Sequence, residues 1–196
     1  MNFYSLDSLP GRTATVDGKE YLFFSGSSYL GVQHVAAFQQ LITAGAKKYG
    51  WLFPSSRISN TRLGIFEEAE ALLASVTGME DAVIVSSGFV AGRLATALFA
   101  ENIINVPPYH PAIKRSNTHP LFSKEYSTDS VDILHAEINS FQFIENDDAD
   151  IALVADDSHG IGVIGNNGAG ISTHLHTYKN ISKVICFSLS KALGIQ

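Results

Sequence analysis

The sequence is poor in cysteine and in long apolar runs, and each shortage excludes a class of protein. Cys186 is the only cysteine among 196 residues, so no disulfide can form within one chain, as is usual in a reducing compartment. No apolar run approaches the roughly 18 residues of a membrane span. The stretch Met1–Pro10 also lacks the basic and apolar regions of a secretory signal peptide. These absences predict a cytoplasmic location.

Basic residues are also scarce. The chain carries 13 Lys and Arg against 19 Asp and Glu, for a formal net charge of -6. This balance argues against a nucleic-acid partner, because such proteins usually present a basic face to the phosphates. Hydrophobic residues make up 45% of the chain and charged residues 16%, a composition typical of an ordinary globular protein.

Apolar runs and helical patterns alternate along most of the chain, which predicts an α/β fold. Asp17-Gly18 is a hairpin-type turn between two short strands. The predicted strands are Ala14–Val16, Tyr21–Phe24, Ala82–Val85, Asn102–Val106, Leu121–Tyr126, Ile151–Ala155 and Val184–Phe187. The predicted helices run from about Gln33 to Gly50, and over Ile65–Val76, Phe89–Ala100, Tyr109–Arg115 and Asp129–Ser140. Repeated units of this kind predict a mostly parallel sheet with helices on both faces.

One connection does not fit a parallel sheet. Phe141–Ile144 and Ile151–Ala155 both have strand-like composition, yet only about seven residues separate them, whereas a parallel crossover needs about a dozen or more. Either Phe141–Ile144 ends the preceding helix, or the two runs form an antiparallel pair, or residues are missing between them. For the whole chain we expect an N-terminal arm over residues 1–30 and one incomplete large domain over residues 31–196.

Lys191 lies just past the last predicted strand, Val184–Phe187. Burial at such a position lowers the pKa of a lysine, and a neutral amine can attack a carbonyl to form a Schiff base. The alternative is an ordinary solvated loop lysine. A second apolar run upstream, which ends in Asp156-Asp157-Ser158-His159, favours a functional site.

Two glycine-containing segments have the pattern of an anion-binding turn. Ser86–Phe89 lies between a strand and a helix, where backbone N–H groups can bind a phosphate, although it is equally compatible with a plain turn. Gly160, Gly162 and Gly165 match a dinucleotide-binding spacing, but no acidic residue follows Asp157, so that interpretation fails. His174 and His176 lack neighbouring thiols or carboxylates and are more typical of a loop than of a metal site.

The ordered set of motifs resembles the fold-type I pyridoxal-phosphate enzymes. V-A-D-D-S-H-G-I-G-V-I-G followed by S-L-S-K-A-L-G is similar to the α-oxoamine synthase group, which includes 8-amino-7-oxononanoate synthase, 2-amino-3-ketobutyrate CoA ligase and 5-aminolevulinate synthase. Tyr29–Gly31, Ser55–Asn60, Ser86–Phe89 and His110 support the resemblance, which spans about residues 20 to 194.

The resemblance implies a role for each matching residue. Lys191 would form the Schiff base, Asp156 would pair with the pyridinium nitrogen and His159 would contact the 3-hydroxyl of the ring. The remaining cofactor contacts would come from His110 on the ring face and, around the phosphate, from Ser87, Gly88, Phe89 and Ser188. The implied protein is a homodimeric acyltransferase that uses pyridoxal 5'-phosphate to condense an amino acid with an acyl-CoA thioester.

The sequence also departs from the family pattern. Ser27 stands where an asparagine is usual, and the family's E-G-x-x-S-M-x-G-D segment has no counterpart between His110 and Asp156. The C-terminal domain that supplies an arginine for the substrate carboxylate is absent as well. An aminotransferase or lyase with the same cofactor, or a catalytically silent fragment, therefore stays an alternative. We predict missing residues between Phe141 and Ile151 and a further domain after Gln196.

Overall fold

The computed structural model describes residues 3–99, 103–113, 124–145, 150–178 and 181–195. Its helices are α1 (Ala36–Tyr49), α2 (Ile65–Thr77), α3 (Gly88–Ala97), α4 (Gln142–Glu145) and α5 (Ser172–Leu175). Its strands are β1 (Thr13–Val16), β2 (Lys19–Leu22), β3 (Ile104–Asn105), β4 (Lys124–Asp129), β5 (Val131–Asp132), β6 (Glu137–Ile138), β7 (Ile151–Asp156) and β8 (Ile181–Cys186). None of the helices in these ranges is long and apolar enough to cross a membrane.

The centre of the fold is a four-stranded parallel sheet in the order β3-β4-β7-β8. The strands β4, β7 and β8 are in register, so that Asp129 lies opposite Asp156 and Asp156 lies opposite Cys186. Their carboxyl ends therefore meet along one edge. The sheet confirms the predicted α/β fold class.

Strand β7 forms the middle of the core, and all six of its residues are buried. Ile151, Leu153 and Ala155 point to one face, where they pack with Phe141 and with Ile171 next to α5. The alternate residues of β7 point to the other face, where they pack against the α3 side of the sheet. Both faces are covered, which explains why this strand is a continuous apolar run rather than an alternating one.

The N-terminal hairpin and the two helices after it are confirmed, although β2 covers Lys19–Leu22 rather than the predicted Tyr21–Phe24 and α1 begins at Ala36 rather than near Gln33. Strands β1 and β2 pair as an antiparallel hairpin around Asp17-Gly18. Helix α1 ends at Gly50, whose N–H bonds Ala46, and α2 ends at Gly78 in the left-handed conformation, as expected for glycine stop signals. Helix α1 contains no buried residue, and its apolar Leu41 is 71% exposed.

The predicted strand Ala82–Val85 is wrong as a paired strand. Glu70 accepts a hydrogen bond from the Ile84 N–H at 2.6 Å, and Arg57 donates to the Ile84 carbonyl at 3.1 Å. These side chains occupy one edge of the segment, and a cavity of about 900 Å³ lies between its other edge and β8. The segment has no strand partner within the described residues, and so no ladder forms.

The predicted helix Asp129–Ser140 is also wrong. Asp129 ends β4, and β5 and β6 then form a short antiparallel hairpin. Asn139 donates to Thr128 Oγ1 at 2.8 Å, and the Ser130 N–H donates to the Asp156 carbonyl at 2.9 Å. Tertiary hydrogen bonds to β4 and β7 therefore outweigh the helical spacing of the apolar residues, and Leu134 is 86% exposed.

Phe141–Ile144 is not a strand, because Gln142–Glu145 forms the short helix α4. The parallel neighbour of β7 is β4, and residues 130–150 connect the two strands, which is long enough for a crossover. The crossover argument for missing residues therefore falls. Residues 146–149 lie outside the described residues, so a chain break in this window stays a prediction.

The remaining elements differ from the predictions in their bounds, and β4 covers Lys124–Asp129 rather than the predicted Leu121–Tyr126. Strand β3 covers Ile104–Asn105, and Pro111–Ile113 forms a 3₁₀ turn within the range predicted as a helix. The predicted positions 100, 102, 114, 115 and 121–123 lie outside the described residues.

Candidate active site

The candidate site residues meet where β4, β7 and β8 end. Asp129 and Asp156 are the last residues of β4 and β7, and β8 leads through Phe187–Ser190 to Lys191. Because parallel strands end at the same edge, residues distant in sequence are brought together there, as is usual for the ligand sites of α/β proteins.

Lys191 contacts His159 directly. The Lys191 Nζ lies 3.0 Å from the His159 Nε2, and the lysine is half-buried. Burial lowers the pKa of Lys191, whereas the carboxylates of Asp156 and Asp129 act in the opposite direction by attracting the ammonium. The structure thus places this lysine where a neutral amine is more accessible than on an open surface.

The other ring nitrogen of His159 contacts Tyr29. The Tyr29 hydroxyl lies 2.5 Å from the His159 Nδ1, and the two ring centroids are 5.9 Å apart. Burial lowers the pKa of His159 and the positive charge of Lys191 lowers it further, while burial raises the pKa of Tyr29. Tyr29 belongs to the Tyr29–Gly31 motif, but the sequence indicated no role for it.

The two contacts of His159 are coupled through its tautomer. When Lys191 is an ammonium it donates to Nε2, so Nδ1 must carry the ring proton and donate to the Tyr29 oxygen. When Lys191 is neutral, Nε2–H can donate to the amine and the Tyr29 hydroxyl can donate to Nδ1. The ring can therefore exchange protons with both partners without moving.

Asp156 and Ser158 connect the two loops of the site. The Ser158 N–H donates to the Asp156 Oδ1 at 3.0 Å, and the Ser158 Oγ accepts from the Ser188 N–H at 3.0 Å. Asp156 is 8% exposed. The chain after β7 and the chain after β8 are thus held together immediately before His159 and Lys191.

Ser87, Gly88 and Phe89 form the N-terminus of α3. The Ser87 Oγ accepts from the Val90 N–H at 3.2 Å, whereas the first N–H groups of a helix have no partner within the helix and can bind an anion. A Cβ on Gly88 would lie 2.9 Å from the Ser188 Cβ. Glycine at this position therefore allows the helix end to approach the loop that carries Lys191.

Gly162, which belongs to the glycine spacing that resembles a dinucleotide-binding motif, has a packing role in the structure. Its φ is 78°, and a Cβ there would lie 2.8 Å from the Ala192 Cβ. The glycine lets the loop after β7 lie directly against the residue that follows Lys191.

His110 is exposed and held at its backbone by Asp129. The His110 N–H donates to the Asp129 Oδ1 at 2.8 Å, and the His110 Nδ1 accepts from the Ala112 N–H at 3.1 Å. Asp129 is the site residue that the sequence interpretation missed, because it was assigned to the start of a helix. Its place at the end of a strand, in register with Asp156, would have revealed it.

Two solved structures share this architecture. A variant of serine palmitoyltransferase from S. paucimobilis, solved with a bound PLP–myriocin aldimine, superposes with a TM-score of 0.81 at 16% identity, over 97% of this chain and 57% of the other. 8-Amino-7-oxononanoate synthase from Francisella tularensis gives a TM-score of 0.64 at 20% identity, over 88% of this chain and 55% of the other. The chain therefore has the fold of the pyridoxal-phosphate-dependent α-oxoamine synthases, as its sequence motifs predicted.

The sequence relatives agree with the structures. A putative 8-amino-7-oxononanoate synthase from Rippkaea orientalis is 26% identical over 220 residues, covering 97% of this chain and 58% of that protein. Serine palmitoyltransferase from Sphingobacterium spiritivorum is 26% identical over 221 residues, covering 98% and 55%. No family model matches the chain. The family resemblance is confirmed by these homologues, of whose length the chain spans little more than half.

Proposed function

We propose that this chain carries the pyridoxal-phosphate site of an enzyme that condenses an amino acid with an acyl-CoA thioester. The observation that carries the proposal is the contact between Lys191 and His159 at 3.0 Å, on the sheet edge where Asp156 also ends its strand. Amine, imidazole and carboxylate are the groups that a Schiff-base cofactor requires. The confirmed fold supports the assignment.

The residues present fit the cofactor in chemistry and arrangement. Gly88 brings the N-terminus of α3 against Ser188, where backbone N–H groups and a hydroxyl suit a phosphate. Asp156 is buried and acidic, as needed beside a pyridinium nitrogen. Bound pyridoxal phosphate supplies an electron sink that makes the Cα proton of an attached amino acid acidic.

The protein's own groups would then hold and move the proton. Lys191 and His159 share one hydrogen bond and both have a pKa lowered by burial, so each is more easily neutral than in water. A neutral Lys191 can accept a proton at Nζ, and the Tyr29 hydroxyl fixes the imidazole by its contact with Nδ1.

The cofactor assignment is tested by borohydride reduction and visible absorbance. With pyridoxal phosphate added, the parent chain should show a visible band, and borohydride should attach the cofactor covalently to Lys191. Lys191→Ala should lose both, and so should Lys191→Arg, because a guanidinium stays protonated and cannot attack a carbonyl. Lys47→Ala, at an exposed lysine of α1, is the matched control. Covalent trapping in Lys191→Ala would refute the assignment.

The reaction class is tested by product analysis. Incubation with acyl-CoA and small amino acids, among them L-serine and L-alanine, should release coenzyme A and yield a condensed product. Transfer of the amino group to a keto acid would instead indicate the aminotransferase alternative. A visible band without any product would indicate a chain that binds the cofactor but is catalytically silent.

We also propose that the functional polypeptide is longer than this chain. The alignment with the Rippkaea protein extends over 220 residues, more than the 196 of the whole chain, so the relative has residues there that this chain lacks. The chain also covers only 58% of that relative, which supports a longer polypeptide. The proposed positions of the additional residues are the window between Phe141 and Ile151 and a further domain after Gln196. Intact-mass measurement of the protein from its native source should give a mass above 21.1 kDa, and equality with that mass would refute the proposal.

A homodimer is the proposed assembly. Trp51 is 88% exposed and Ile58 is 96% exposed, and α1 contains no buried residue, so a large apolar surface is left uncovered. Light scattering at micromolar concentration should show a dimer that Ile58→Asp weakens. Leu134→Asp, at a side chain 86% exposed on the β5–β6 turn, should leave it intact. A monodisperse monomer with cofactor bound would contradict this assembly.

Domain organisation and location complete the proposal. Residues 1–30 would form an N-terminal arm, which contains the β1–β2 hairpin, and residues 31–196 would form the cofactor-binding large domain. The single cysteine, which is buried and free, supports a cytoplasmic location. Limited proteolysis should cleave near residue 30 before it degrades the rest of the chain.

A further inference from the structure

We propose that Asp129 is a further positioning residue of this site, which holds the backbone of His110 and sets a second carboxylate beside Asp156 on the sheet edge that leads to Lys191. Only the role of His110 beside the cofactor depends on the proposed function. The placement of His110 and the charge beside Lys191 are properties of the chain itself.

Three hydrogen bonds attach the Pro108–His110 segment to the end of β4. The Asp129 Oδ1 accepts from the His110 N–H at 2.8 Å, while the Asp129 N–H donates to the Pro108 carbonyl at 2.8 Å. Thr128 Oγ1 donates to the same carbonyl at 3.1 Å. The His110 Nδ1 accepts from the Ala112 N–H, so the carboxylate of Asp129 fixes the backbone from which the imidazole extends, and Ala112 orients the ring.

Asp129 and Asp156 lie side by side on one face of the sheet. The two residues are in register at the ends of β4 and β7, and paired residues of parallel strands point to the same face. The charged and titratable groups that act on Asp129 are Asp156, His110 and Lys191. Burial raises the pKa of Asp129 to about 6, and the negative charge of Asp156 acts in the same direction. The hydrogen bond from the His110 N–H and the positive charge of Lys191 lower this pKa, but they do not outweigh burial.

The second carboxylate changes the charge balance at Lys191. Both Asp156 and Asp129 favour the ammonium form of Lys191. Asp129 also carries more negative charge above about pH 6 than below it, so its effect on Lys191 grows as the pH rises through that value.

The structural part is tested by amide hydrogen exchange at His110. In Asp129→Ala the His110 N–H loses its acceptor, and its exchange should accelerate at least about tenfold, since hydrogen bonds to charged groups are the stronger ones. Asp129→Asn keeps an acceptor oxygen and should stay closer to the parent. Asp132→Asn, three positions along and in the β5–β6 hairpin, is the control. Protection of the amides of β7 verifies that each variant is folded.

The electrostatic part is tested by the pH dependence of Lys191 acylation with acetic anhydride, followed by peptide mass spectrometry. Asp129→Asn and Asp129→Ala should move the labelling midpoint of Lys191 to lower pH, because the ammonium loses a carboxylate that stabilises it. Asp132→Asn should leave the midpoint unchanged. An unmoved midpoint in Asp129→Asn, or unchanged His110 exchange in Asp129→Ala, would overturn the proposal. Neither measurement uses the cofactor, so its result is independent of the proposed function.

Discussion

The Nζ of Lys191 lies 3.0 Å from the Nε2 of His159, although the two residues are 32 positions apart in the chain. Burial lowers the pKa of both groups, and the positive charge of Lys191 lowers the pKa of His159 further. The pair therefore favours one shared positive charge rather than two.

Removal of the lysine should raise the pKa of His159. In Lys191→Ala the imidazole no longer faces a neighbouring ammonium, whose charge is the second cause of its lowered pKa after burial. NMR titration of the histidine ring protons, assigned with a His159→Gln variant, measures the change. Lys47→Ala should leave the titration unchanged. A His159 pKa that stays the same or falls in Lys191→Ala would show that the two side chains do not interact in solution.

Loss of the Tyr29 hydroxyl should release His159 from one side. Tyr29→Phe removes the 2.5 Å contact to Nδ1, and a net hydrogen bond contributes about 1 kcal/mol. We expect roughly a fivefold weaker affinity for pyridoxal phosphate and a shift in the tautomer balance seen by ¹⁵N NMR of the imidazole. Tyr21→Phe in β2 is the control. Equal affinity in both variants would argue that Tyr29 does not position the ring.

A side chain at Gly88 should separate α3 from the lysine loop. The Cβ of Gly88→Ala would lie 2.9 Å from the Ser188 Cβ, so we expect a free energy of unfolding lower by about 1–3 kcal/mol and weaker binding of inorganic phosphate. Gly45→Ala in α1, where no atom lies within 4 Å, should instead raise the free energy of unfolding by about 0.5–1 kcal/mol. Both are measured by urea unfolding, and a stabilising Gly88→Ala would contradict the close approach.

Asp157 should make the protein less stable as the pH rises. Its carboxylate is 1% exposed, accepts from Ser130 Oγ at 2.5 Å and from the Ile171 N–H at 2.9 Å, and burial raises its pKa to about 6. An unfolded aspartate titrates near pH 3.9. Between about pH 4 and 6 the folded state thus binds more protons than the unfolded state, and the free energy of unfolding falls as the pH rises through this window.

Asp157→Asn should remove the pH-dependent contribution of Asp157 to the free energy of unfolding. For a pKa difference of this size the contribution is about 3 kcal/mol. The amide can keep both contacts, because the Ser130 hydroxyl can accept as well as donate. Urea unfolding at pH 4, 5 and 6 should show a smaller decline in the variant than in the parent. Asp7→Asn, at an exposed carboxylate, serves as the control. If the free energy of unfolding fell equally with pH in parent and variant, a group other than Asp157 would be responsible for the pH dependence.

Local pattern was sufficient for the elements whose burial follows their own sequence. The apolar run of β7, the glycine stops of α1 and α2, and the hairpin at Asp17-Gly18 lie where their residues predict, whereas β8 begins at Ile181, three residues before the predicted Val184. The ends of these elements also placed Asp156, His159 and Lys191 near one another, since parallel strands end at a common edge. Their catalytic roles stay predictions.

Tertiary contacts decided the rest. The Tyr29–His159 contact joins residues 130 positions apart, and no local periodicity encodes such a pair. Asp129 was hidden because apolar residues at helical spacing followed it, whereas hydrogen bonds from Ser130 and Asn139 to neighbouring strands hold that segment as a hairpin. The Ala82–Val85 run has strand composition, but its backbone is hydrogen-bonded to the side chains of Glu70 and Arg57 instead of to a neighbouring strand. A sequence reports which side chains prefer burial, but the partners of backbone and polar groups are fixed only when distant segments meet.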